Sequence, residues 1–373
     1  GLNTCAVDRK HEDLTLRTLD DLCGKRKPGA EVVTVGCLNA IDRDLLERRY
    51  PGVRVLRDGD DLRQILGAGR AFDDREDGYY DERLVDFAVE RGPQPVFKET
   101  LIRCARARDR VTRDSRLGSI RDLHIPQIVG EIERTNRAYV LIGRGCAGSC
   151  SYCAIKIAQG KPRSRSVESI LADARRVCSE GKVLCLAADD CASYGLDIGE
   201  TFPGLVRRID REMPGVAVDI GYLNPRFLET QTDEYLGIFA DCRINAVNVP
   251  LQSGSDRIVR MMDRKYAVRR VIDVVDRIKR ISPATMLWTH CIVGFPSETW
   301  GDYMDSLRAL DHFHYYNVFT YSSQKNTRSA SLDGQVPRSV VELRARLAYL
   351  RYVDRMARSV SAAYLGVARA HGS

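Results

Sequence analysis

Apolar and polar positions along the 373-residue chain follow two periods that exchange several times. Apolar residues three and four apart over residues 12–22 predict a helix. "AEVVTVGC" then runs short, apolar and β-branched, the pattern of a buried strand, and ends at Cys37. A helix over 43–49, a short strand "VRVL" and a helix over 60–66 continue the alternation. "GLNTC" reads as the end of one more strand. Residues 1–70 are therefore expected to form a small Rossmann-like α/β domain with a parallel sheet. Over residues 71–136 the periodicity fades into Gly and Asp clusters and an arginine-rich stretch, expected to be a connector with some helix.

From residue 138 the pattern becomes regular. Six apolar runs, "AYVLIG", "KVLCLAA", "VAVDIGYL", "INAVNVPL", "TMLWTHCIVG" and "YNVFTYS", read as strands. Helical stretches over 167–180, 200–213, 230–239, 255–281 (with a break) and 300–313 separate them. Strands apolar on both faces, each followed by a helix, predict a covered parallel sheet. The fold class is thus α/β, with a partial (βα)6 TIM-type barrel over residues 137–336. Chemistry in such folds gathers at the C-terminal ends of the strands. In residues 337–373, Leu343, Leu347, Leu350, Val353, Ala357, Val360, Tyr364 and Val367 recur at steps of three and four, marking an amphipathic C-terminal helix expected to cover the barrel.

Composition narrows the picture. The chain is 44% hydrophobic and 29% charged, as in soluble globular proteins. No apolar run approaches the 18 or so residues of a membrane span, and a cytoplasmic location is expected. Twelve cysteines in so long a chain suit reduced metal ligands better than a disulfide framework. The net charge of +7 is uneven, and residues 97–121 hold eight Lys or Arg against three Asp or Glu. Such a segment is either a solvated linker or a contact for phosphates.

Three cysteines, Cys146, Cys150 and Cys153, fall in one stretch, "RGCAGSCSYCAIKIAQGKPRSRS", just after the first barrel strand. Zinc sites usually draw on two separated pairs of ligands. Three thiolates in one loop suit an iron–sulfur cluster, and a [4Fe–4S] cube so held keeps one iron open.

The C-x3-C-x2-C spacing, with Tyr152 before the last cysteine, resembles the radical-SAM signature. "GCAGSCSYCAIKIAQGKPRSR", "LAADDCASYG", "IGYLNPRFL", "VPLQSGSDRIVRMMDRKY", "THCIVGFPSET" and "YSSQKNT…QVP" resemble segments of the radical-SAM methylthiotransferases. Gln159 stands where that family usually has Arg, Asp189 where it has Gln, and His290 where it has Asp; Ser297 is a further departure. "NTCAV" at Cys5 and "VGCLNAIDRDLLER" at Cys37 resemble two of the three cysteine motifs of the family's extra domain. The resemblance covers residues 1–66 and 138–337.

The resemblance implies a radical-SAM cluster on Cys146, Cys150 and Cys153, and an auxiliary [4Fe–4S] cluster on Cys5 and Cys37, with its third cysteine expected upstream of Gly1. It implies S-adenosylmethionine (AdoMet) as cofactor, a 5'-deoxyadenosyl radical that activates a C–H bond, and insertion of a methylthio group. The first substrate to consider is a modified adenosine in tRNA, and the electron donor a flavodoxin or ferredoxin. The family's macromolecule-modifying members end in a small β-barrel, the TRAM domain, expected to be naturally absent after Ser373. Asp189, Asp190, Asn224, Gln252 and Ser253 fall at strand C-termini, where AdoMet would sit. Gly294 would let adenine approach the backbone, and Arg163 and Arg165 would meet a carboxylate. Cys191 would face the cavity. Cys185, Cys242 and Cys291 read as core, His312 and His314 as structural. Two rivals remain: a diverged enzyme that sulfurises or otherwise modifies a peptide or small molecule, and a non-catalytic RNA-binding protein.

Overall fold

The computed structural model describes residues 2–4, 9–56, 137–178 and 182–370. The connector and the expected helix over 60–66 lie outside the described residues.

The N-terminal part comprises β1 (Leu2–Thr4), α1 (Arg9–Gly24), β2 (Val32–Gly36), α2 (Cys37–Ile41), α3 (Arg43–Arg49) and β3 (Val53–Val55). The strands lie in the order β1-β2-β3, all parallel. Leu16 and Leu19 of α1 pack with Leu38, Leu46, Tyr50 and Val55 in one apolar cluster. The buried Asn39 amide donates to the carbonyls of Thr34 at 2.7 Å and Leu56 at 2.9 Å, so it serves backbone groups at the sheet's C-terminal edge. Cys37 does not end a strand. The chain turns at Gly36, with φ +119°, and Cys37 opens α2.

The second part runs β4 (Arg137–Leu141), β5 (Gly143–Arg144), α4 (Ile155–Gln159), β6 (Arg163–Ser164), α5 (Val167–Val177), β7 (Val183–Ala187), α6 (Phe202–Glu212), β8 (Val218–Ile220), α7 (Pro225–Thr230), α8 (Thr232–Asp241), β9 (Ile244–Asn248), α9 (Asp256–Met261), α10 (Val268–Ile281), β10 (Met286–Val293), α11 (Trp300–Leu310), β11 (Tyr315–Thr320) and α12 (Arg338–Ala370). The six long strands stand in chain order, β4-β7-β8-β9-β10-β11, and every neighbouring pair is parallel. β4 and β11 are both edges, so the sheet is a part-barrel that does not close on itself. Side chains alternate along a strand. Val140, Leu184, Leu186, Val218, Ile220 and Val247 join the helices in the main core, and their neighbours Cys185, Asp219 and Asn248 take the opposite face.

Three features escaped the apolar pattern. A two-stranded antiparallel pair, β5 with β6, brackets the cysteine loop. Helix α4 follows Cys153 directly, and α7 precedes α8 as a separate turn. α12 also presents a different face from the one its large residues suggest. Val341, Ala345, Ala348 and Tyr352 pack on the barrel, whereas Leu343 is 49% and Leu350 63% exposed. Small side chains let the helix approach β10 and β11 closely, and Arg344 reaches inward to a buried ion pair with Glu298 at 2.6 Å.

Candidate active site

The loop after β5 carries Cys146, Cys150 and Cys153, none in a disulfide and all half-buried. Gly145 opens it with φ +78°, and a side chain there would run into the Lys161 carbonyl. Four partners hold the loop. The Gly145 N–H donates to Asp189 Oδ2 at 2.7 Å, and the Ala147 N–H to Ser193 Oγ at 3.1 Å. From the other side, Ser151 donates its N–H to the Met262 carbonyl and its hydroxyl to that of Met261, both at 2.9 Å. The loop is thereby clamped between the C-terminal ends of β7 and α9.

Asp190 is 5% exposed. Its carboxylate accepts from Ser193 Oγ at 2.7 Å, the Ala192 N–H at 3.1 Å and the Asn224 N–H at 3.3 Å, and the Cys146 thiol points to it at 3.7 Å. Burial raises the Asp190 carboxyl above the usual range, against those donors. Burial also raises Asp189. Cys146 is pushed up to about 12 by burial and by the Asp190 charge, and Cys153 to about 11 chiefly by burial. Without a metal these two thiols keep their protons at neutral pH.

Arg264 was not singled out by its residue type. It lies 9% exposed beside the loop, with Nη1 3.5 Å from Cys150 Sγ and 3.1 Å from the Tyr152 hydroxyl. Its signal was the "MDRKY" segment, whose turn at Asp263 (φ +55°) aims the following side chain at the loop. Ser193, which carries the Asp190 carboxylate's hold onto Ala147, was likewise missed.

The other expected site residues divide. The Asn224 side chain caps α7 by accepting from the Arg226 N–H at 3.2 Å, and its Nδ2 lies 3.5 Å from Asp190. Gln252 adopts φ +68° and leaves a buried Oε1 without a protein partner. The Ser253 hydroxyl faces away from the barrel mouth, 3.2 Å from Ser306 Oγ of α11. Gly294 has φ +80°, and the space a side chain would take is filled by Val341 of α12. Arg163 is exposed. Arg165 does not reach for a ligand. It is 1% exposed and bonds the Leu141 carbonyl, Ser169 Oγ and Asp173, each at 2.7 Å. Cys191 is fully buried and donates toward the Leu186 carbonyl, so it belongs to the core and not to the cavity. Cys185 and Cys291 are buried as expected, and Cys242 is half-buried against the core. His312 meets Asp276 at 2.9 Å, and His314 accepts from the Leu287 N–H.

His290 is buried, its Nε2 3.3 Å from Asn248 Nδ2, with the rings of Phe319 at 5.0 Å, Trp288 at 5.1 Å and Tyr222 at 5.6 Å around it. Burial lowers its pKa to about 3, so it is neutral at physiological pH.

The N-terminal part meets this loop directly. Ala154 and Ala158 join the N-terminal apolar cluster. Gln159 Nε2 donates to Cys37 Sγ at 3.7 Å, Asn326 to the Ile41 carbonyl at 2.9 Å, and Lys325 pairs with Asp42 at 2.8 Å. Cys37 and the cysteine loop therefore flank one small helix, α4. Cys5 lies outside the described residues.

Residues 140–310 match the Radical SAM superfamily. With its parallel part-barrel and the cysteine loop at the strand ends, this part of the chain is a radical SAM domain. Within that superfamily the chain is methylthiotransferase-like: it is 29% identical over 98% of its length to the tRNA-2-methylthio-N(6)-dimethylallyladenosine synthase of Thermobifida fusca (strain YX). It is 33% identical over 63% of its length to the synthase of the same name from Acetivibrio thermocellus. The chain spans 68% of the first relative and 50% of the second. Among solved structures, the cobalamin-dependent S-adenosylmethionine radical enzyme OxsB superposes with a TM-score of 0.49 at 14% identity, over 83% of this chain and 43% of that one.

Proposed function

We propose that this chain inserts a methylthio group at a substrate C–H bond, with a modified adenosine of tRNA as the first substrate to test. The observation that carries the reading is the loop of Cys146, Cys150 and Cys153, clamped at the strand ends with all three thiols free and half-buried. Three soft ligands in one loop fit a [4Fe–4S] cluster with one open iron. Among the described residues, no three His, Cys, Asp or Glu side chains converge on a single ion, whereas a cluster takes one ligand per iron and tolerates separated thiols. A reduced cluster bound here would supply the one electron that splits AdoMet into methionine and a 5'-deoxyadenosyl radical, which takes a hydrogen atom from the substrate carbon.

The chain's own residues do the rest. Asp189 and Ser193 fix the backbone of the loop through Gly145 and Ala147. Asp190 and Asn224 border Cys146 and offer polar groups where AdoMet would lie. Gln252, with its buried unpartnered Oε1, is an acceptor for a cofactor hydroxyl or amine. Arg163, exposed beside the same loop, would reach the AdoMet carboxylate. Residues 1–70 would form an auxiliary-cluster domain holding a second [4Fe–4S] cluster on Cys5 and Cys37, residues 71–136 a connector, 137–336 the catalytic barrel and 337–373 a terminal helix. The contact of α4 with Cys37 supports this arrangement, since it brings the second cysteine site next to the first.

Anaerobic reconstitution with iron and sulfide, followed by assay of AdoMet cleavage, tests the proposal. The wild type is expected to bind iron and sulfide and release 5'-deoxyadenosine. Cys150→Ala is expected to lose at least about a thousandfold of that activity, in line with removal of a group on which the whole reaction depends. Cleavage without cysteine dependence would overturn the assignment. Methylthio transfer is read separately, as a modified adenosine carrying an added methylthio group in nucleoside digests of tRNA. Cleavage without that product would shift the reading to a peptide or small-molecule substrate. The neutral His290, where the methylthiotransferase pattern has a carboxylate, is the observation that favours this second reading.

A further inference from the structure

We propose that Arg264 is a positioning residue that sets the reduction potential of the radical-SAM cluster through the sulfur of Cys150. The inference rests on the cluster reading above. Arg264 carries a permanent positive charge and is 9% exposed. Its partners are the Cys150 sulfur at 3.5 Å, the Tyr152 hydroxyl at 3.1 Å, the Pro250 carbonyl at 3.0 Å, and the Tyr266 ring at 5.4 Å. Its Nε has no hydrogen-bond partner. Among the described residues no carboxylate forms an ion pair with it.

A buried cation is costly unless an anion compensates it. Carbonyl, phenol and ring are neutral and the buried Asp190 carboxylate acts on the guanidinium only from a distance, so the compensating charge in direct contact is sulfur. Cys150, ligated as a thiolate, supplies that charge, with Cys146 and Cys153 in the same loop. Position is fixed by the same turn that receives the loop: Ser151 bonds the carbonyls of Met261 and Met262, three and two residues before Arg264. The guanidinium and the Cys150 sulfur are therefore held in one register.

Hydrogen bonds to cluster sulfurs and nearby charge are levers on reduction potential. Reduction adds one electron and one negative charge, and breaks no bond in the protein. A buried cation beside a ligating sulfur favours the reduced state, so Arg264 makes the cluster easier to reduce.

The test compares wild type, Arg264→Gln and Arg264→Lys after anaerobic reconstitution, each titrated with dithionite and followed by electron paramagnetic resonance. The glutamine variant is expected to hold its cluster but to reduce about tenfold less favourably, a midpoint lower by about 59 mV for one electron. The lysine variant, which keeps the charge without the planar fork, is expected to recover part of the shift. If only the lysine variant holds a cluster, a midpoint between those limits supports the proposal and a wild-type midpoint overturns it. An unmoved midpoint in a glutamine variant with full cluster content also overturns it. So does loss of the cluster from both variants with circular dichroism unchanged, which would make Arg264 a support for the loop alone. A wild type that takes up no cluster defeats the cluster reading, and this inference with it.

Discussion

His290 illustrates how one buried side chain makes a pH-dependent contribution. Its pKa falls from the ordinary 6.5 to about 3 because burial penalises the imidazolium. Between those values the unfolded chain binds a proton that the folded chain does not. Stability contributed by the neutral ring is therefore fully present above about pH 6.5 and is lost as pH falls toward 3. One proton corresponds to at most about 1.4 kcal/mol per pH unit. His290→Asn is expected to remove this slope. In urea unfolding, its stability relative to wild type should improve by about 2 kcal/mol between pH 7 and pH 5. An unchanged difference would mean that His290 titrates in the folded protein as it does in the unfolded chain. Asp190 shows the other use of burial. Of its three donors, Ser193 also holds the loop through Ala147, and that role was not legible from an Asp–Asp pair, because it depends on where Ser193 and Asn224 return in space.

At the scale of elements, Gly294 and Val341 fix how α12 meets the barrel. A side chain at Gly294 would have its Cβ within 3.0 Å of Val341 Cβ and closer still to both methyls, on a backbone with φ +80°. Gly294→Ala should cost about 1–2 kcal/mol for the left-handed conformation and about 1–3 kcal/mol more for overpacking. Val341→Ala in the same chain should return the overpacking part and leave the conformational part, which a double-mutant cycle in urea measures. Additive effects would show that the two residues do not press on each other. This contact also marks the limit of sequence reading. The six barrel strands were legible because each is an apolar run bounded by helices, and their parallel order follows from the crossovers. The packed face of α12 was not. Leu343 and Leu350 fit a helical stripe as well as Val341, Ala345, Ala348 and Tyr352 do, and only the partner surface, which takes Leu347 at its margin, chooses between them. The cysteine loop was legible from spacing alone. Its clamp was not, because β5, β6 and α4 are two to five residues long, too short to show a period.

At the scale of the whole molecule, charge surrounds the cysteine loop. An opening beside it is bordered by Gly148, Cys150, Asn224, Arg226, Asp263 and Lys265. Lys265 and Arg328 share the carboxylate of Asp263, which these cations hold down at about 2 despite its partial burial. Lys156 and Arg226 are exposed close by. One acid among four exposed bases leaves a positive rim at this opening. A tRNA substrate would lay phosphates on such a rim and release condensed counterions, so its affinity must fall as salt rises. If the proposed substrate is right, the logarithm of the association constant should decline linearly with the logarithm of salt between 50 and 200 mM, by about 0.7–0.9 per phosphate contacted. Arg226→Ala and Lys265→Ala should each weaken binding alike across tRNA sequences and reduce that slope by about one. The Arg226 side chain takes no part in holding the cluster loop, so iron content should not change in Arg226→Ala. Lys265, by contrast, pairs with Asp263, which accepts from Ser149 Oγ of the loop at 2.9 Å, so Lys265→Ala is compared at matched iron content. A slope near zero in the wild type would remove tRNA from consideration and leave the rim to an acidic peptide or to the protein that delivers the electron. Those two are separated by whether the variants slow reduction of the cluster when dithionite replaces a protein donor. Only a docking role for the donor disappears under dithionite, because the small reductant needs no surface to reach Cys150.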